Sequence, residues 1–187
     1  MRQYFWTDSE KWLIVADLHL SDTCYLSKEL KLINDLENAP KDYGVIVLGD
    51  FIQPYYKKED LYLHHSYLMY ELSKRNTIYV KGNNDPDISC YDGIKVLLKD
   101  ELWLLEHGHK TPDWLNRIFN LFKPKMRELE LDIHKQQRMR RYIESHHRKN
   151  YITGHYHISY YDRDGRIVLA PWKLYYFDKL VNQILSY

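Results

Sequence analysis

Trp12-Leu13-Ile14-Val15-Ala16-Asp17-Leu18-His19 is an apolar run that ends on a carboxylate and an imidazole. A short continuous apolar run reads as a strand, and its polar end marks where that strand stops. The same grammar returns further along the chain. Val45-Ile46-Val47-Leu48 leads into Gly49-Asp50, and Thr77-Ile78-Tyr79-Val80 into Gly82-Asn83-Asn84-Asp85. Leu102-Trp103-Leu104-Leu105 precedes His107-Gly108-His109, and Tyr151-Ile152-Thr153 precedes Gly154-His155-Tyr156-His157. Five segments thus offer metal-ligand side chains where strands end.

The intervening sequence decides how these strands are arranged. Residues 27–38 carry Leu30, Leu32, Ile33 and Leu36 at helical spacing, and Ala39-Pro40 stops them. A second helix is expected over 58–74. The resulting β-α-β-α-β order implies a mainly parallel sheet with helices packed outside. Segments 94–98, 101–106, 150–155, 158–161 and 167–169 read as a second sheet. Asp162-Arg163-Asp164-Gly165 is a hairpin turn between the last two. Residues 174–177 predict one more strand, while 180–185 fit either helix or strand. No repeat, linker or low-complexity tract divides the chain, so a single domain over 1–187 is expected.

Composition narrows the class. The 187 residues are 44% apolar and 28% charged, which describes a globular chain with a sizeable core. A net charge of +1 gives no whole-molecule pull toward nucleic acid or membrane. No apolar stretch approaches a bilayer span, and Met1-Arg2-Gln3-Tyr4 lacks a signal-peptide pattern. Cys24 and Cys90 are too few for a disulfide framework and have no paired metal spacing. The expected compartment is the cytoplasm.

A single Asp after a strand is ordinarily a turn or cap residue, so Asp17 or Asp50 alone would say little. Their joint occurrence with the later His pairs says much more. Carboxylate, carboxamide and imidazole donors without thiolates suit Mn, Fe or Zn better than Ca or Mg. Seven candidate donors are too many for one tetrahedral ion and suit two ions sharing a carboxylate. His64-His65 and His146-His147 belong to no such segment and are expected on the solvated surface.

In order and content the five segments resemble the calcineurin-like metallophosphoesterase superfamily, whose blocks run D-x-H, G-D, G-N-[HDCR]-D, H-G-H and G-H-x-H. The resemblance spans residues 12 to 172. It implies an α/β fold, a two-sheet β-sandwich flanked by helices, here with a helical insertion at about 112–149. It also implies a dinuclear site in which Asp17, His19 and His157 hold one metal. Asn83, His107 and His155 would hold the other, with Asp50 bridging. Mn is the preferred ion, with Fe, Zn, Ni or Co as alternatives.

Asn84 departs from the many family phosphatases that carry His there, acting on the leaving oxygen. A carboxamide donates a hydrogen bond but delivers no proton at neutral pH. Leaving groups stable as anions are therefore favoured, which points to phosphodiester or pyrophosphate bonds. Family branches also lacking this His include bacterial phosphodiesterases with Cys and UDP-2,3-diacylglucosamine pyrophosphatases with Arg. Asn84, Asp85 and His109 form the candidate catalytic set, Asp85 as a brace for its loop and His109 as the nearest alternative acid. Glu106 reads as an exposed strand terminus.

The insertion carries Phe119, Phe122, Met126, Leu129 and Ile133 at three-four spacing. Residues 117–149 hold ten Lys or Arg against four Asp or Glu, a local +6 that leaves −5 for the rest. Arg138, Arg140 and Arg141 are candidate substrate contacts on a wall beside the metals. The expected partner is a phosphate-containing small molecule, with nucleic acid ranked below it. Two other functions fit the same fold: a metal-dependent nuclease, and a non-catalytic scaffold like the retromer subunit.

Overall fold

The computed structural model describes residues 3–22, 26–53, 55–85, 91–108, 141, 144, 149–157 and 159–185. Tyr4–Thr7 (β1) comes first, followed by Trp12–Val15 (β2), in which every residue is buried. Such complete burial belongs to a parallel strand covered on both faces. β2 pairs in parallel with Gly44–Leu48 (β3), and β3 with Thr77–Val80 (β4). The crossovers between them are Leu26–Asn38 (α1) and the pair Lys58–His64 (α2) and Ser66–Ser73 (α3).

The second sheet is built from Gly93–Leu98 (β5), Glu101–Glu106 (β6), Tyr151–Thr153 (β7), Tyr160–Tyr161 (β8) and Arg166–Val168 (β9). Its order is β1-β5-β6-β7-β9-β8. The 162–165 turn closes the antiparallel β8–β9 pair as expected, with Gly165 at φ 74°. Tyr175–Tyr176 (β10) joins the first sheet, antiparallel to β2, and Phe177–Leu185 (α4) completes the chain. The ambiguity over 180–185 thus resolves as helix.

Side-chain alternation along the strands creates two cores. Ile14, Ala16, Ile46 and Leu48 face Ile94, Val96, Trp103, Leu105 and Ile152 across the gap between the sheets. On the opposite face of the first sheet, Leu13, Val15, Val45 and Val47 pack on Leu32, Ile33 and Leu36 of α1 and Leu68 and Leu72 of α3. No helix among the described residues is long and apolar enough to cross a membrane.

The structure corrects the reading in four places. β1 was not anticipated, because Tyr4–Thr7 has no Val, Ile or Leu and stays partly exposed; its parallel pairing with β5 makes it a strand. The expected helix over 58–74 is broken at His65, whose φ of −123° and ψ of 28° leave the helical region. His65 is 1% exposed rather than solvated, held by Glu29 and the Ser21 carbonyl. In α1 the polar Glu29 is buried, whereas Leu30 is 56% exposed. His64, next to His65 in the chain, is exposed, as expected, while His146 and His147 lie outside the described residues.

Arg75 shows how the α1 terminus is finished. A helix end leaves carbonyls without intrahelical partners. The buried Arg75 guanidinium donates to the carbonyls of Leu36, Ala39, Pro40 and Tyr43 at 2.6–3.0 Å. Arg75→Ala strips four acceptors of a charged donor at once. An expected loss on the order of 3 kcal/mol is checked by urea unfolding at unchanged m-value.

Candidate metal centre

The polar residues that end the strands converge on one rim of the sandwich, bound to one another by backbone bonds. Asp17 N–H donates to the Gly49 carbonyl, and His19 N–H to the Asp50 carbonyl. From the other sheet, His155 N–H donates to both carboxylate oxygens of Asp17, at 3.0 and 2.9 Å. The Thr153 hydroxyl donates to the His107 carbonyl at 2.7 Å, tying the ends of β6 and β7.

Two donor groups result, each with ligand atoms within 4.8 Å of one another: Asp17, His19 and His157, and Asp50, His107 and His155. Asn83 Oδ1 joins the second, 3.2 Å from His107 Nε2. Asp50 Oδ2 lies 3.4 Å from His107 Nε2 and 3.8 Å from His19 Nε2, between the groups. All seven expected donors are therefore gathered at one place. Asn84 and Asp85 adjoin them, His109, Arg138 and Arg140 lie outside the described residues, and Arg141 is exposed.

Backbone strain marks the same residues. Asp17, His19, Asp50, His155 and His157 have φ between 46° and 65°, five of the nine described non-glycine residues in that half of the map. Each such residue costs on the order of 1–3 kcal/mol and persists where its surroundings over-determine it. Gly82 supplies one constraint, since a Cβ there would run into the backbone nitrogen and Oδ1 of Asp50. Gly82→Ala is therefore expected to displace Asp50 and lower bound Mn²⁺ per chain, read by elemental analysis after dialysis.

Asp85 ties this loop to its neighbour through hydrogen bonds. Its carboxylate accepts from the N–H groups of Phe51, Ile52 and Gly82 at 2.7, 3.1 and 2.9 Å, locking the 50–52 and 82–85 turns together. Burial holds the Asp85 carboxyl above its ordinary value in spite of these bonds. Asn84 donates twice to Asp50, from its backbone N–H to Oδ1 at 2.9 Å and from its side-chain amide to Oδ2 at 2.8 Å.

The electrostatics call for positive charge. Asp17 and Asp50 are buried at 0% and 2% exposure, and their cationic partners among the described residues are imidazoles alone. Buried carboxylates require pairing or a cation. Burial works against ionised Asp50, yet His107, the Asn84 N–H and His19 pull its carboxyl down to about 2. Burial likewise opposes charge on His107, but Asp50, Asp17 and the Leu48 carbonyl outweigh it and raise its value. His19 is instead lowered, chiefly by burial.

The donor set also fits divalent cations in its hydrogen bonding. His107 Nδ1 lies 3.1 Å from the Leu48 carbonyl, an acceptor, so Nδ1 carries a hydrogen and Nε2 faces Asn83 and Asp50. A carbonyl on the far nitrogen is how metal-ligating histidines are commonly oriented. His19 Nε2 and His157 Nε2 face each other at 3.1 Å, and His19 Nδ1 is buried with no partner among the described residues.

A sequence model of the calcineurin-like phosphoesterase family matches residues 11–185, nearly the whole chain. The chain belongs to that family. No curated protein matches this chain. Among solved structures it is similar to a conserved uncharacterized protein, a predicted phosphoesterase, from Streptococcus pneumoniae TIGR4. Identity is 19%, the TM-score is 0.37, and the match covers 86% of this chain and 70% of that one.

Three supports of this site were not evident in the sequence. Glu106 is buried, not an exposed terminus: it accepts from Tyr4 Oη at 2.5 Å and Tyr151 Oη at 3.1 Å, beside His107. Burial and the Glu106 charge hold the Tyr151 phenol far above its ordinary value, so it remains a donor. The Leu48 carbonyl and the Thr153 hydroxyl are the others. Alternation along β6 turns Leu105 to the core and Glu106 away from it, so only the distant Tyr4 and Tyr151 reveal Glu106 as buried; a backbone carbonyl leaves no trace in sequence.

Proposed function

We propose that the chain is a dinuclear metal-dependent phosphoesterase, working as one domain, that hydrolyses phosphodiester or pyrophosphate bonds of small molecules. The observation that carries this reading is the pair of donor groups flanking a single carboxylate, Asp50. Asp17, His19 and His157 are assigned to one cation, Asn83, His107 and His155 to the other, and Asp50 to both. Mn is the preferred ion, with Fe, Zn, Ni or Co as alternatives. Two divalent cations held there would supply polarisation of a phosphoryl group, neutralisation of its charge and a water pKa lowered toward ~7.

The chain's own residues supply orientation. His155 N–H fixes the Asp17 carboxylate, the Leu48 carbonyl fixes the His107 ring, and Asn84 fixes both oxygens of Asp50. Asn84 keeps one side-chain hydrogen to offer a leaving oxygen and carries no transferable proton at neutral pH. A full set of seven donors argues against a scaffold that has given up its metals. Cytoplasmic residence belongs to the same proposal and rests on a cysteine count of two, too few for a disulfide framework.

Bis(p-nitrophenyl) phosphate, offered with and without Mn²⁺, is the direct test. Metal-dependent release of nitrophenolate is expected, and a chain that binds Mn²⁺ without turnover would return the scaffold reading. Degradation of single-stranded oligonucleotides at a comparable rate would move the assignment to a nuclease.

A further inference from the structure

We propose that Glu29 and His65 form a proton-holding clamp that positions the loop of His19. Divalent-cation affinity at the Asp17, His19 and His157 group then depends on that clamp. The dependence on cations rests on the two-ion reading above; the clamp itself does not.

The clamp follows from counting hydrogens. The His65 side chain is fully buried and that of Glu29 is 6% exposed. His65 Nε2 lies 3.0 Å from the Ser21 carbonyl, and Nδ1 lies 2.9 Å from Glu29 Oε2. A carbonyl only accepts, so Nε2 carries a hydrogen. An ionised carboxylate also only accepts, so a second hydrogen sits between Nδ1 and Oε2. The pair therefore holds one proton more than a neutral imidazole beside a carboxylate. Without it, a ring lone pair would oppose a carboxylate in a buried place, which is costly.

Placement gives the clamp its purpose. Ser21 is two residues beyond His19 in the chain. On one side this loop is stitched to the extension of β3: His19 N–H to Asp50, Leu20 N–H to Phe51, and Gln53 N–H back to Leu20. On the helical side it is held by His65, seated at the break between α2 and α3, with Glu29 of α1 behind it. His19, at φ 46°, is thus gripped from both directions. Of the other elements packed on His65, the segment before α2 presents the Tyr56 ring edge-on at 5.9 Å. The Tyr56 hydroxyl is engaged by His64 of α2 at 2.8 Å.

Burial opposes charge on His65, but the Glu29 bond and charge, with the Ser21 carbonyl, outweigh it and raise its value above the ordinary 6.5. A raised folded value means that the clamp's contribution is complete below the ordinary value and is lost as pH rises through the raised one.

The first measurement uses the metal-free chain. Long-range ¹H–¹⁵N spectra are expected to show both His65 nitrogens protonated at neutral pH, with the His19 and Ser21 amides shifting as His65 loses its proton. An unprotonated Nε2, or amides indifferent to the titration, would overturn the clamp.

The second measurement is Mn²⁺ titration. His65→Ala should weaken one of two dissociation constants by about 10-fold and leave the other near its original value. Glu29→Gln keeps both bonds, since its amide donates to Nδ1 of a neutral ring. It should therefore bind as the unmodified chain does at neutral pH and hold its affinity at high pH, where the unmodified chain falls behind. His65→Gln, which can still donate to Ser21, guards against a misfolded alanine variant and should fall between the two. Unchanged constants in both His65 variants overturn the coupling. An unmodified chain that binds no Mn²⁺ overturns the two-ion reading instead, and the spectra then decide the clamp alone.

Discussion

Exchange of Asp50 for Asn is expected to abolish phosphoester hydrolysis and to release both cations. Its carboxylate is 2% exposed and has Oδ2 within 3.4 Å of His107 Nε2 and 3.8 Å of His19 Nε2. An amide of the same shape removes one negative charge and one oxygen that faces both groups. It also puts an N–H₂ donor against the Asn84 amide, which now donates to Oδ2. Partners in the outer shell of a metal site cost ~10–100-fold in affinity when lost; a shared ligand should cost more than that for each ion. Elemental analysis after dialysis decides the matter. Two tightly held ions per chain in the variant would refute the shared role, whereas loss of one ion alone would assign Asp50 to a single group.

The second large effect concerns the leaving group. No protonated side chain stands at position 84, so the rate should follow the stability of the departing anion. Loss of a positioned acid costs on the order of 10²–10⁴-fold where the leaving group is poor. Aryl diesters and pyrophosphates should exceed alkyl monoesters in kcat/KM by a factor in that range. Asn84→His should recover alkyl monoester cleavage by ~10-fold or more, provided the ring turns from Asp50 toward the substrate. The structure adds a counterweight, because the substitution gives up the amide bond to Asp50 Oδ2. Mn²⁺ affinity should therefore be measured on the same variant. Equal rates on matched aryl and alkyl phosphates in the unmodified chain would defeat the leaving-group preference and leave the metal assignment standing.

The strands bearing the site were legible because their apolar runs are continuous: burial on both faces of β2 and most of β3 leaves little freedom of interpretation. The donors were legible because each lies where such a run stops. What stayed hidden depends on partners distant in sequence. His65 reads as half of a surface pair until Glu29, 36 residues earlier, is folded against it. Glu106 reads as a strand end until Tyr4, 102 residues away, donates to it. Leu30 is apolar, yet the buried stripe set by Leu32, Ile33 and Leu36 runs back through position 29 rather than 30, which turns Glu29 inward. The left-handed backbone of Asp17, His19 and Asp50 was equally invisible, since nothing in these residue types demands it.

The donors are divided between the two sheets, and this has a consequence for how the protein is made. Asp17, His19, Asp50 and Asn83 leave the ribosome well before His155 and His157, and each group needs a member from the later set. A nascent chain carrying the first sheet alone lacks a member of each group. On the two-ion proposal, selection of the metal would fall to the finished sandwich. An ion held by either group would span the seam between the two sheets and would act as a reversible cross-link. Free cation at 100 times its dissociation constant adds about 2.7 kcal/mol against any opening that parts the sheets, so cells starved of the metal would hold a looser molecule as well as an idle one.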